Sequence, residues 1–248
     1  MGFAVQASEG FWLGQQLANS KLLPQLTSDR IQALTSPVFR LGDCSAVLVS
    51  ADGLLLTSAS CLKPYLAARL SAGFAAEQLS AEIKLAGLTA YQEREQQDLT
   101  VAINRKLNDT TTAIQRSLRQ TELEQELVSR CAAQGRHCQL YSQHYGLQFT
   151  LQYYQPYADV RLVYLPAMAV ANQTDSGWPR YDADFVLLRL YQHDKPMQSQ
   201  QFARLAPQGV AEQQQIVVAD FVGQSKRYSS AVEVRFMFEQ WLPQAQSG

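Results

Sequence analysis

Histidine is scarce in this chain: three copies in 248 residues, His137, His144 and His193, at no spacing that suits a metal. Neither sign of charge prevails, since 21 Lys and Arg face 22 Asp and Glu for a formal net charge of -1. Nothing electrostatic therefore argues for nucleic acid or an acidic membrane surface as partner. No run approaches the roughly 20 apolar residues that span a bilayer, so no membrane span is expected. Cys-x-x-Cys is missing as well, which leaves a zinc site poorly supported. We expect neither metal nor cofactor.

What is present is ordinary globular composition, 46% hydrophobic and 17% charged, in a chain long enough for one large or two small domains. Four cysteines, Cys44, Cys61, Cys131 and Cys138, allow three connectivities. The sequential pairing, Cys44 with Cys61 and Cys131 with Cys138, is the expected one; Gly135 lets the chain turn back within the closer pair. Residues 1–7 have a small-x-small ending, Ala4-Val5-Gln6-Ala7 before Ser8, like a secretory leader remnant. An ordinary native start fits them equally well.

Periodicity predicts an amphipathic helix over Glu9–Leu26, then short strands at Val38–Leu41, Ser45–Val49 and Leu54–Thr57. Asp52-Gly53 between the last two is a hairpin signal. Lys63 to Ala90 reads as helical or irregular. Asp98–Asn104 alternates as a strand, with Leu99, Val101 and Ile103 on one face. Asn108-Asp109-Thr110 is expected to cap a long helix, Thr112–Gln134, with Ile114, Leu118, Leu123, Leu127 and Cys131 on its apolar side. Further strands are expected at Cys138–Ser142, Leu147–Tyr154, Val160–Leu165, Phe185–Tyr191 and Ile216–Phe221, and a tail helix over Val232–Leu242. The whole reads as mainly β and barrel-like with helical additions: residues 8–231 form the barrel domain, and 232–248 a helix and tail.

Four local patterns occur in a telling order: Ser8-Glu9-Gly10-Phe11-Trp12-Leu13; Gly53-Leu54-Leu55-Leu56-Thr57-Ser58-Ala59-Ser60-Cys61; Tyr157-Ala158-Asp159-Val160-Arg161-Leu162-Val163-Tyr164; and Trp178-Pro179-Arg180-Tyr181-Asp182-Ala183-Asp184-Phe185. Together they resemble the bacterial dipeptidyl-peptidase 7 and 11 family, serine exopeptidases of the chymotrypsin clan, from about Ser8 to about Arg235. The resemblance implies a single chymotrypsin-like (trypsin-like) β-barrel half, without the second barrel that carries the nucleophile. It also implies a bacterial protein of the periplasm or exterior, which suits paired cysteines.

The departures fall on the chemistry. Ser60 stands where the resemblance places the general base, and a serine hydroxyl has no useful basicity near neutral pH. The family's aspartate corresponds to Asp184, expected here as a hydrogen-bonded or partly exposed carboxylate at a strand start. The amine-gripping pair of the family's substrate loop corresponds to Ser176 and Gly177, followed by Trp178, so that loop is degenerate. Two nucleophile lookalikes, in Gly42-Asp43-Cys44-Ser45 and Thr174-Asp175-Ser176-Gly177, have nothing basic placed beside them. The three histidines read as surface residues.

The expectation from these residues is a peptidase-derived domain that is not an enzyme and binds a protein or peptide partner. That partner is a second copy or a different chain, covering an exposed barrel face. The tail helix, with Phe236, Phe238 and Trp241, either docks on its own domain or serves as an interface. The rival expectations are a subunit whose partner chain supplies the nucleophile barrel, and a fragment with no function of its own.

Overall fold

The computed structural model describes residues 27–65, 73–143, 147–167, 183–214, 216, 218–219, 221 and 230–243. The Glu9–Leu26 helix, the first of the four patterns, His144, and Ser176, Gly177 and Trp178 lie outside the described residues. A short helix α1 (Ser28–Thr35), capped by Thr27, leads into the meander β1 (Val38–Leu41), β2 (Cys44–Leu48) and β3 (Leu54–Thr57). The β2–β3 turn is the expected one. Gly53 takes φ +74°, and a Cβ there would lie 2.9 Å from the Leu190 carbonyl oxygen, so only glycine fits.

After β3 the chain makes a single 3-10 turn (Ala59–Leu62), then two short strands, β4 (Phe74–Ala75) and β5 (Ile83–Lys84). The long strand β6 (Ala90–Asp98) precedes helices α2 (Thr100–Leu107) and α3 (Ala113–Ala133). Strands β7 (His137–Gln143), β8 (Gln148–Tyr157), β9 (Asp159–Leu165), β10 (Val186–Gln192) and β11 (Lys195–Pro196) follow, and α4 (Ala231–Phe236) runs on into a π turn at Met237–Trp241.

Among the described residues every strand pairing is antiparallel. Along the sheet the order is β4-β9-β10-β3-β2-β1-β6-β8-β7. Ala158 alone separates β8 from β9 in the chain, although five strands lie between them in the sheet. That covalent junction draws the sheet round on itself into a barrel. Its interior is one cluster: Phe39, Leu41, Leu48, Leu55, Leu62, Leu88, Tyr157, Leu162, Val186 and Leu188 are all buried together. Each fully buried Leu or Phe contributes about 1.5–3 kcal/mol relative to exposure.

The far halves of β6 and β8, with β7, run beyond the barrel as a ribbon. Helices α2 and α3 cover it through a second core of Ile103, Leu107, Leu123, Leu140, Phe149 and Leu151. Both expected disulfides form, Cys44–Cys61 in the barrel and Cys131–Cys138 between α3 and β7.

Five expectations about elements are corrected. Asp98 ends β6 and residues 99–104 are not strand: Leu99 at the N-cap, Ile103 and Leu107 lie four apart on the packed side of α2, while Val101 is 73% exposed. Among its described residues, Lys63–Ala90 carries β4 and β5 in addition to the 3-10 turn Leu79–Ala81. Thr112, not Asn108-Asp109-Thr110, caps α3, accepting from the Gln115 amide at 3.2 Å while the Gln115 side chain accepts from Thr112 N at 3.2 Å. Of 216–221, the described residues 216, 218, 219 and 221 are not strand. On the tail helix, Phe236, Phe238 and Trp241 are exposed, not docked on their own domain.

Candidate active-site corner

Strand β3 ends in Thr57, whose hydroxyl donates to the Ser45 carbonyl at 2.7 Å. The 3-10 turn that follows is anchored from below by buried Ala59 and Leu62, and sideways by the Cys44–Cys61 disulfide to the start of β2. Pairing of Val186 with Thr57 brings the start of β10 beside this turn. Asp184, two residues before β10, therefore meets Ser58 and Ser60 across 126 and 124 residues of sequence.

The contacts are short. Ser58 Oγ donates to Asp184 Oδ2 at 2.6 Å, and the Ser60 backbone N–H donates to Asp184 Oδ1 at 3.1 Å. Ser58 Oγ and Ser60 Oγ are 2.7 Å apart. A carboxylate only accepts, so the single Ser58 proton points at Asp184. The Ser60 hydroxyl is then the donor to Ser58, and the corner is a directed chain from Ser60 through Ser58 to Asp184. Ser60 and Asp184 are exposed; Ser58 is partly buried.

Asp184 is thus an exposed carboxylate, hydrogen-bonded just before β10. Sequence reasoning assigned no role to Ser58, and the Ser58-x-Ser60 spacing was the available signal. The two described histidines, His137 and His193, are exposed. His137 opens β7 beside Tyr91, with ring centroids 5.7 Å apart, and His193 turns the chain at the opposite end of β10. Of the lookalike motifs, Cys44 is held in its disulfide, and Thr174-Asp175-Ser176-Gly177 lies outside the described residues.

Beside Asp184 the barrel's outer face is apolar. Cross-strand register places Val47, Leu56, Leu187 and Tyr164 in one row, and Phe185 stacks on Tyr164 with centroids 5.8 Å apart. Tyr164 and Phe185 remain 37% and 38% exposed. Further along the same strands the charges satisfy one another. Buried Glu82 accepts from Arg189 Nε and from the Tyr191 hydroxyl, both at 2.8 Å, which ties the 79–85 segment to β10. The Arg161 guanidinium bonded to Asp159 holds that carboxyl below its ordinary range. No group of three metal-ligating side chains occurs among the described residues, and none of their helices is long and apolar enough to cross a membrane.

Comparison with known proteins decides the kinship. The sequence pattern described as Peptidase S46 matches residues 7–247. The chain belongs to the peptidase S46 family. Within the family it is 22% identical to dipeptidyl-peptidase 7 of Phocaeicola vulgatus over 93% of this chain and 38% of that protein. It is 26% identical to the Asp/Glu-specific dipeptidyl-peptidase of Shewanella putrefaciens over 95% of this chain and 36% of that protein. The solved structure of Porphyromonas endodontalis DPP11 superposes with a TM-score of 0.63 at 25% identity, covering 83% of this chain and 34% of that one. The same protein in complex with the dipeptide Arg-Glu gives 0.62 over 82% and 36%. The chain thus spans little more than a third of the relatives it matches, and over that span it has the family's antiparallel β fold with helices.

This kinship corrects the expectation of a domain that is not an enzyme. The relatives carry dipeptidyl-peptidase names over nearly the whole of this chain, and that points to a peptidase. The physical reason for the misreading is local. A serine at position 60 says what that side chain cannot do as a base; it does not decide what the polypeptide does.

Proposed function

We propose that this chain is the Asp184-bearing barrel of a dipeptidyl-peptidase-type serine exopeptidase, and that polypeptide outside residues 1–248 supplies the nucleophile. The observation that carries the reading is the corner itself. Asp184 is held from two sides, by the Ser58 hydroxyl and the Ser60 N–H, on the turn that follows β3 and beside a disulfide. A carboxylate fixed this way is suited to orienting and stabilising a cationic partner group in proton transfer. Ser60 has no useful basicity, so a group other than Ser60 accepts the proton of that nucleophile.

The apolar row next to Asp184 supports the same reading. Exposed apolar faces mark partner surfaces on soluble proteins, and the stacked pair Tyr164 and Phe185, each a little over a third exposed, lies with the half-buried Val47, Leu56 and Leu187 at the rim of the corner. A second barrel seated there would form a cleft between itself and Asp184 for a peptide. Two disulfides favour an oxidising compartment, the periplasm or exterior of a bacterium.

The test is dipeptide release from fluorogenic dipeptidyl substrates by protein isolated from its own cells through a tag on this chain, so that accompanying polypeptide is retained. Release blocked by a serine-directed fluorophosphonate, and lowered at least about a hundredfold by Asp184→Asn, is expected. Absence of release from that preparation would overturn the proposal.

A further inference from the structure

The directed chain from Ser60 through Ser58 to Asp184 has the parts of a nucleophile and its proton acceptor, independently of any second barrel. We propose that Ser60 is itself a nucleophile for acyl transfer, with Ser58 relaying its proton to Asp184, and that its substrates are oxygen esters with good leaving groups. A nucleophilic hydroxyl is recognised by a hydrogen-bonded acceptor that is in turn held by a third group. Here Ser60 Oγ lies 2.7 Å from Ser58 Oγ, which lies 2.6 Å from Asp184 Oδ2. The bond from Ser60 N to Asp184 Oδ1 at 3.1 Å fixes the turn on the carboxylate, and the neighbouring Cys61 is locked by its disulfide to Cys44. Ser60 is exposed, so an acyl compound reaches it from solvent.

The step balances within these three residues. Ser60 Oγ forms a bond to the acyl carbon as its proton passes to Ser58 Oγ and the Ser58 proton passes to Asp184 Oδ2. The bond from the acyl carbon to the leaving oxygen breaks, and the leaving group departs as an anion. Asp184 returns its proton to water. Hydrolysis of the acyl-serine by a second water then releases the acid and restores the Ser60 hydroxyl. A carboxylate acting through a hydroxyl is a weak base, which limits the chemistry to esters that expel a stable anion; amides need a stronger base and protonation of the departing amine.

The experiment uses the 248-residue chain and p-nitrophenyl acetate. Nitrophenolate release with an acetyl group mapped to Ser60 by peptide mass spectrometry is expected, and Ser60→Ala abolishes that adduct. Asp184→Asn and Ser58→Ala each slow acetylation by at least about a hundredfold, while Ser58→Thr, which keeps the hydroxyl, stays within about tenfold of the parent. Circular dichroism on each variant separates loss of chemistry from loss of fold. Acetylation confined to other residues overturns the proposal, as does acetylation of Ser60 at the parent rate in folded Ser58→Ala or Asp184→Asn. Neither result bears on dipeptide release with a nucleophile from outside the chain, so the two readings fail separately.

Discussion

The Glu93 carboxyl, on β6 where the pairing with β8 shifts register, accepts from the side-chain amides of Gln96 and Gln152, the latter at 3.0 Å. Tyr154 and Gln152 on β8, Tyr141 on β7 and Arg40 on β1 complete the surrounding polar cluster, in which Arg40 spends its charge on Gln139 and on the rings of Tyr91 and Tyr154. Burial outweighs the amide bond and raises the Glu93 pKa above the ordinary carboxylate value. The folded state therefore binds a proton more tightly than the unfolded chain does. Stability is greatest with Glu93 protonated, and it falls as pH rises from the ordinary carboxylate value to the raised one. Glu93→Gln is expected to flatten that decline, by at most about 1.4 kcal/mol per pH unit across the window, read from thermal melts at a series of pH values. An unchanged slope would assign the pH dependence elsewhere. At this scale Asp184 and both disulfides were legible, because residue type and order along the chain are enough to mark them. The Ser58 bond to Asp184 was not, since the register of β3 with β10 creates it across 126 residues.

Helix α3 shows what a local signal determines. Thr112 accepts from the Gln115 amide, and Gln115 Oε1 accepts in return from the backbone of Thr111 and Thr112, so the first turn is satisfied at both ends of a capping box. The helix then packs Leu123 and Leu127 on the ribbon and ends at the Cys131–Cys138 disulfide. Thr112→Ala should lower stability by about 0.5–2 kcal/mol in urea unfolding, with fraying confined to the N-terminal turns by hydrogen exchange; an unaffected midpoint would mean that the helix is held from its C-terminal half alone. This helix was legible from the 3.6 period of Leu123, Leu127 and Cys131, although its cap was placed too early and the expected apolar positions Ile114 and Leu118 are exposed. Residues 98–104 misled because Leu99 and Ile103 fit a period of two as well as a spacing of four; burial of Leu107 and exposure of Val101 decide for the helix. Strand β6 was invisible for the opposite reason. Its residues are mostly polar, and Gln92 is buried only because its amide donates to the Ser36 carbonyl at 2.8 Å while its Oε1 accepts from the Tyr157 hydroxyl at 3.3 Å.

Over the whole molecule, closure of the barrel through Ala158 makes the inner face self-sufficient and leaves the outer row of Val47, Leu56, Leu187, Tyr164 and Phe185 as its unfinished side. Alternation within single strands predicts that a barrel forms. It does not predict which outward residues line up, since that depends on four strands in register. The alignment has a consequence for the proposed assembly. Glutamates at both Tyr164 and Phe185 would be left buried and unpaired under a second barrel, at a cost of several kcal/mol, yet in the isolated chain they would stand in water. The double variant Tyr164→Glu/Phe185→Glu should therefore still fold, with a melt lowered only by loss of the Tyr164–Phe185 stack, while dipeptide release by the tagged preparation falls at least about tenfold, the equivalent of about 1.4 kcal/mol in docking. A second copy of this chain on the face would show instead as a monomer–dimer shift in sedimentation that the same variant abolishes, which would replace the second barrel as its occupant. Unchanged release and unchanged sedimentation together would mean that the row is an ordinary exposed surface and that the nucleophile approaches Asp184 from another side.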